Sequence, residues 1–128
     1  MVRRAGGVYA YQLAVVVDDG LSHVSEVVRG RDLLSSTPRQ IWLYRMFGFP
    51  VPKFYHIPLL LSPDGKRLSK RDGDTDVGAL RERYGTPEAL IGQLACAVNL
   101  IDRPEPLTLH ELLPEFDWRK IPRDDVRM

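Results

Sequence analysis

Ser25-Glu26-Val27-Val28-Arg29-Gly30-Arg31-Asp32-Leu33-Leu34-Ser35-Ser36-Thr37-Pro38-Arg39-Gln40 is the stretch that decides the fold class. It joins two elements of different character. Val27 and Val28 sit in a short β-branched run, Ser25 to Arg29, that reads as a strand. The far end carries a helix start: Thr37 as N-cap, Pro38 at the first helical position, and Gln40 completing a Thr-x-x-Gln capping box. Ile41, Leu43, Tyr44 and Phe47 then supply one apolar face, and Gly48 is placed to end the helix. A strand feeding a helix in this way points to an α/β arrangement.

Upstream, Val8 to Val17 is apolar and rich in β-branched residues, and pattern alone reads Leu13 to Val17 as a strand. Downstream, Tyr55 to Leu61 reads as a buried strand in which Pro58 marks an edge or irregular position. Pro63-Asp64-Gly65 is a turn into a basic loop. After Gly73 the texture becomes helical. Val77 to Tyr84 is one expected helix, and Thr86-Pro87-Glu88 opens another that runs to about Leu100. Thr108 with Glu111 forms a second capping box before Leu109 to Phe116. An α/β part, residues 1–72, thus precedes a helical part, residues 73–128, with Pro104-Glu105-Pro106 as a connection inside the latter.

The chain has 128 residues, with 18 Lys and Arg against 17 Asp and Glu, a formal net charge of +1. Hydrophobic residues make up 44% and charged residues 27%, which excludes global disorder and collagen-like repeats. With so little net charge, any contact with nucleic acid must come from a local patch. A lone cysteine, Cys96, excludes an internal disulfide and a Cys-rich zinc site within these residues. Its simplest role is a small buried apolar residue. No apolar run approaches the roughly 18 residues of a membrane span, and the first residues lack a signal-peptide core. The expectation is a cytoplasmic protein.

Chemistry concentrates in Gly65-Lys66-Arg67-Leu68-Ser69-Lys70-Arg71. Four of these seven residues are cationic, and Gly65 and Gly73 flank a backbone free to approach a ligand. Lysine offers a compact charge to phosphate oxygens and serine adds a hydroxyl donor. A bare basic heptamer is usually a solvated loop. Here the surrounding motifs change that balance.

Arg67-Leu68-Ser69-Lys70-Arg71 resembles the KMSKS loop of class I aminoacyl-tRNA synthetases, in the form found in the glutamyl group. Tyr11-Gln12-Leu13-Ala14-Val15-Val16-Val17-Asp18-Asp19, Val28-Arg29-Gly30-Arg31-Asp32, Ser36-Thr37-Pro38-Arg39-Gln40 and His56-Ile57-Pro58-Leu59 resemble other segments of that family, in the same order. The likeness is dense over residues 8–72 and looser after them. It is nearer to the glutamyl-Q tRNA(Asp) branch than to glutamyl-tRNA synthetases: Arg31 stands where the latter usually have Asp, and the chain stops soon after Phe116 to Pro122.

The resemblance implies the second half of a Rossmann-like catalytic fold, followed by a helical region like the one that contacts the tRNA stem. It also implies that Tyr11 to about Asp19 is a helix, which overrides the strand reading of the valine run. The implied activity is ATP-dependent activation of glutamate to glutamyl-adenylate, then transfer to tRNA, at the queuosine of tRNA(Asp) or at the 3′ end of its own tRNA. Lys70 matches the catalytic lysine that meets the ATP phosphates, and Arg67, Leu68, Ser69 and Arg71 complete the ATP-binding loop. Arg29 matches the arginine that binds glutamate, and Tyr11 matches the tyrosine lining that pocket. ATP would arrive with Mg2+. A freestanding nucleotide- or tRNA-binding module is the alternative from another functional class.

Other candidates have plainer readings. Asp18 and Asp19 read as helix termination and Asp32 as a backbone contact. Trp42 and Trp118 read as packing residues. His23, His56 and His110 show no metal-ligand spacing, although His56 lies where it can face a nucleotide. Arg119, Lys120, Arg123 and Arg127 form a basic end, suited to tRNA phosphates or matched by Asp117, Asp124 and Asp125.

The family's HIGH-like motif, its further glutamate-binding arginine and glutamate, and the zinc ligands of the shorter branch have no counterpart in these residues. The expectation is a fragment whose uncovered face favours a homodimer. By themselves, the 128 residues should give no glutamate-dependent ATP–pyrophosphate exchange; turnover well above blank refutes this.

Overall fold

The structure is a computed structural model that describes residues 10–62, 65 and 77–127. The chain divides into two compact units, Met1–Ile57 and Pro58–Met128. The boundary expected at residue 72 falls outside the described residues.

The first unit opens with helix α1 (Tyr11–Leu21). The valine run is therefore helical, because its burial follows the helix period: Val16 is fully buried while Ala14 is exposed. Strand β1 (Glu26–Gly30) follows and passes through a 3-10 helix (Arg31–Ser36) into helix α2 (Thr37–Met46). Strand β2 (Lys53–Ile57) returns parallel to β1, with Arg29 opposite His56. A parallel pair needs a crossover connection, and the 3-10 helix with α2 supplies it. The result is the α/β unit expected from the strand and helix signals.

Val16, Leu43 and Tyr44 form the core of this unit, with Leu13, Val15, Phe49 and Phe54 packed around them. Gln40, Leu43 and Tyr44 lie at i, i+3 and i+4 and share the buried stripe of α2. Trp42 falls off that stripe and is 58% exposed, so it is not a packing residue. The end of α2 is as expected. Gly48 adopts φ 71°, its N–H donates to the Arg45 carbonyl, and the Phe49 N–H donates to the Tyr44 carbonyl. This double bond pattern needs a left-handed residue, which glycine supplies without strain.

Asp19 does not terminate α1, which continues to Leu21. Its carboxylate instead accepts from the Tyr44 hydroxyl at 3.3 Å. Burial, then the Asp19 charge and this hydrogen bond, push the Tyr44 hydroxyl up to about 12, against a smaller opposing pull from Arg29.

The expected strand from Tyr55 to Leu61 is broken. β2 ends at Ile57, Pro58 and Leu59 lie outside any strand, and a two-residue β3 (Leu60–Leu61) follows. Proline has no N–H to give to a ladder. In the second unit β3 pairs in parallel with β4 (Val126–Arg127). There the Leu59 N–H donates to an Asp125 carboxylate oxygen at 2.9 Å.

Helix α3 (Val77–Tyr84) covers the expected segment, and α4 (Pro87–Ala97) begins at its start signal and ends before the expected Leu100. The Thr86 hydroxyl accepts from the Ala89 N–H. The second capping box is complete, Thr108 and Glu111 exchanging side-chain bonds with each other's backbone N–H. The helix it opens is shorter than expected: α5 (Leu109–Leu112) gives way to a 3-10 turn, Leu113–Glu115. Cys96 is half-buried rather than fully buried. Trp118 is also half exposed, its ring set edge-on to Phe116. At the basic end, Arg119 pairs with Asp117 at 2.7 Å and Lys120 with Glu115 at 3.7 Å.

Gly92 in α4 meets the chain at residue 105 so closely that a Cβ would overlap the Glu105 carbonyl group. Helix propensity alone would favour alanine there by about 1 kcal/mol. The close approach reverses the sign. Gly92→Ala is expected to destabilise by about 1–3 kcal/mol, the range for overpacked sites, as a lowered midpoint in urea unfolding.

Candidate functional site

The parallel register places Arg29 directly across from His56, and their side chains meet on one face of the pair. Phe54, two residues before His56, shares that face. The Arg29 guanidinium carbon lies 4.8 Å from the Phe54 ring centroid, and Phe54 stacks at 15° on the His56 ring. A one-residue slip would turn His56 to the other face and dismantle the arrangement.

The first turn of α2 closes over Arg29. The Arg29 Nη1–H donates to Gln40 Oε1 at 2.6 Å. Nη2 donates to Thr37 Oγ1 at 2.7 Å and, more weakly, to the Leu33 carbonyl at 3.4 Å. Nε donates to His56 Nε2 at 3.2 Å. Behind Gln40, its Nε2 donates to Gln12 Oε1 at 2.7 Å, and Gln12 Nε2 donates to Ser36 Oγ at 3.0 Å. Every buried polar side-chain atom among the described residues has a partner.

The expected capping box at Thr37 is therefore absent. The cap position is Ser36, without a side-chain cap bond. The 3-10 helix runs straight into α2, so the first amides of α2 follow a turn already formed. Thr37 and Gln40, the two residues of the supposed box, are taken by Arg29.

All four acceptors around Arg29 are uncharged: an amide, a hydroxyl, a backbone carbonyl and an imidazole nitrogen. Among the described residues no carboxylate pairs with it. Guanidinium has five N–H donors, and one of the two on Nη1 has no acceptor among those residues. A cation so held is fixed in direction but not neutralised by any described residue. It can take an anion, above all a carboxylate, by a charge-assisted bond.

Because His56 Nε2 accepts from Arg29, its proton resides on Nδ1 and the ring is neutral. Burial first, and the Arg29 charge second, hold its pKa below the usual 6.5. His56 thus faces Arg29 and Thr37.

Tyr11, the other expected glutamate contact, opens α1 and is 57% exposed. Among the described residues no hydrogen bond or ring contact joins it to Arg29, whereas its neighbour Gln12 enters the network. Arg67, Leu68, Ser69, Lys70 and Arg71 lie outside the described residues. Sequence alone singles out none of Gln12, Ser36, Thr37 and Gln40 as site residues, and gives His56 only as able to face a nucleotide. One signal was available: Gln40 sits on an apolar helical stripe, where a buried amide demands partners.

The His56 titration has a definite sign. The unfolded chain takes its proton near 6.5, before the folded one, so this group removes stability as pH falls through that value. Arg29→Gln should raise the His56 pKa toward 6.5, followed by ring 15N shifts in NMR; an unchanged midpoint refutes the coupling.

Residues 1–105 match the family of class I tRNA synthetases (E and Q), catalytic domain. The chain is 55% identical over 128 residues to a glutamyl-Q tRNA(Asp) synthetase of Symbiobacterium thermophilum, spanning all of this chain and 40% of that protein. It is 44% identical over 123 residues to glutamate–tRNA ligase 1 of Sulfurimonas denitrificans, spanning 96% of this chain and 27% of that one. A crystal structure of a glutamate tRNA ligase from Elizabethkingia meningosepticum, in complex with its amino acid, superposes with a TM-score of 0.77 at 31% identity, over 98% of this chain and 29% of that one. The chain thus spans well under half the length of these relatives. It belongs to the class I tRNA synthetase family of the E and Q type, within the catalytic domain.

Proposed function

We propose that the chain is the second half of the catalytic domain of a ligase that activates glutamate with ATP and passes the glutamyl group to tRNA, with the queuosine of tRNA(Asp) as acceptor. The observation that carries this reading is the Arg29 guanidinium, held by four neutral acceptors and paired with no carboxylate among the described residues. A glutamate carboxylate is its natural partner. In this reading Tyr11 lines the same pocket. Lys70 meets the ATP phosphates as pyrophosphate leaves, with Arg67, Leu68, Ser69 and Arg71 shaping the loop and Mg2+ accompanying the nucleotide. No covalent enzyme intermediate is required, and the protein's task is positioning and charge stabilisation. Residues 73–128 act as a region that contacts the tRNA stem.

The names of the Symbiobacterium thermophilum and Nocardia farcinica relatives favour tRNA(Asp) as acceptor. Charging of a tRNA 3′ end is the second reading, favoured by the 44% identity to a glutamate–tRNA ligase. Joining the chain to the preceding half of the Symbiobacterium thermophilum relative, and following labelled glutamate into queuosine-bearing tRNA(Asp) and into tRNA(Glu), separates the two.

Arg29 itself is tested on the 128-residue chain by NMR titration with L-glutamate. Arg29→Gln should weaken binding by more than about tenfold, the loss expected for one charge-assisted hydrogen bond. Arg29→Lys should recover only part of it, because lysine keeps the charge and loses the fork. Glutamate binding that survives Arg29→Gln refutes the assignment.

A further inference from the structure

We propose that Gln40 is a positioning residue that holds Arg29 in place without consuming its charge, keeping the guanidinium available to a carboxylate ligand. The proposal rests on the reading of Arg29 above and deepens it.

Gln40 is 1% exposed, and its carbonyl oxygen lies 2.6 Å from Arg29 Nη1. Its orientation is dictated from behind. The Gln40 amide nitrogen donates to Gln12 Oε1, and Gln12 donates in turn to Ser36. Turning the Gln40 amide over would set its NH2 against the guanidinium, donor facing donor, and would break the bond to Gln12. The three side chains form a relay of aligned dipoles that ends with an acceptor oxygen aimed at the cation.

A glutamate at position 40 would have the same length and could place an oxygen at the same point. It would bring a negative charge with it. A buried carboxylate at that distance forms a full ion pair with arginine, and the pair offers little to an incoming anion. The remaining partners repeat the principle, since Thr37, the Leu33 carbonyl and neutral His56 all accept without charge. The site requires a strong acceptor that is not an anion, and glutamine supplies one of that length.

The test compares Gln40→Glu, Gln40→Met and Arg29→Gln with the native 128-residue chain, by NMR titration with L-glutamate and by thermal melting. Gln40→Glu should fold, melt close to the native chain, and lose glutamate affinity by at least about tenfold. Gln40→Met, which fills the space but offers no oxygen, should lose less. A role confined to packing and hydrogen bonding gives the reverse order, because glutamate keeps the acceptor that methionine lacks. Native-like affinity in Gln40→Glu, affinity in it above that of Gln40→Met, or its failure to fold overturns the proposal. If Gln40→Met does not fold, Gln40→Glu against the native chain decides. Absence of any glutamate response in the native chain, or a response that survives Arg29→Gln, overturns the reading of Arg29 and this proposal with it. Loss in Arg29→Gln with retention in Gln40→Glu overturns this proposal alone.

Discussion

A guanidinium bound by four neutral acceptors is the constraint around which the first unit is arranged. Taking an arginine partly out of water is costly unless its donors are met. Meeting them with carboxylates would be the easy solution and would leave nothing for a ligand. The chain instead brings acceptors from three elements: a backbone carbonyl from the 3-10 helix, a hydroxyl and an amide from α2, and an imidazole from β2. The β1–β2 register, the direct passage of the 3-10 helix into α2 and the depth of Gln40 all serve that convergence.

Much of the framework was legible because its signals are local. Gly48 ends α2 through bonds confined to one turn, and Thr108 with Glu111 starts α5 within four residues. Val27 and Val28 marked a strand, and Pro58 marked an irregularity that proved to be a break. The valine run in α1 was the ambiguous case. Its composition favours a strand, and tertiary burial of Val16 against Leu43 and Tyr44 settles it as a helix.

The site was legible only at Arg29, and through family likeness rather than pattern. Its partners are far away in sequence: Gln40 reaches Gln12 across 28 positions and Arg29 reaches His56 across 27. No local period encodes such pairings. The same ignorance explains the error at Thr37. The Thr-x-x-Gln spacing was real, but two polar side chains at i and i+3 on one helix face can cap their own helix or serve a neighbour. A nearby cation is the stronger claimant, since hydrogen bonds to charged groups are worth about 1.5–3 kcal/mol against roughly 1 for neutral ones.

The Tyr44–Asp19 contact acquires a mechanical meaning beside the Gln12–Gln40 bond. Both join α1 to α2, about two turns apart on the first helix and about one turn apart on the second. A single polar pin between two helices leaves them free to pivot. Two separated pins remove that freedom, and sliding α1 along α2 would break both at once. Gln12 is therefore held at its post partly by a tyrosine that never touches Arg29. With its hydroxyl pushed up to about 12, that tyrosine keeps its proton, and the second pin stays fastened, across the whole neutral range.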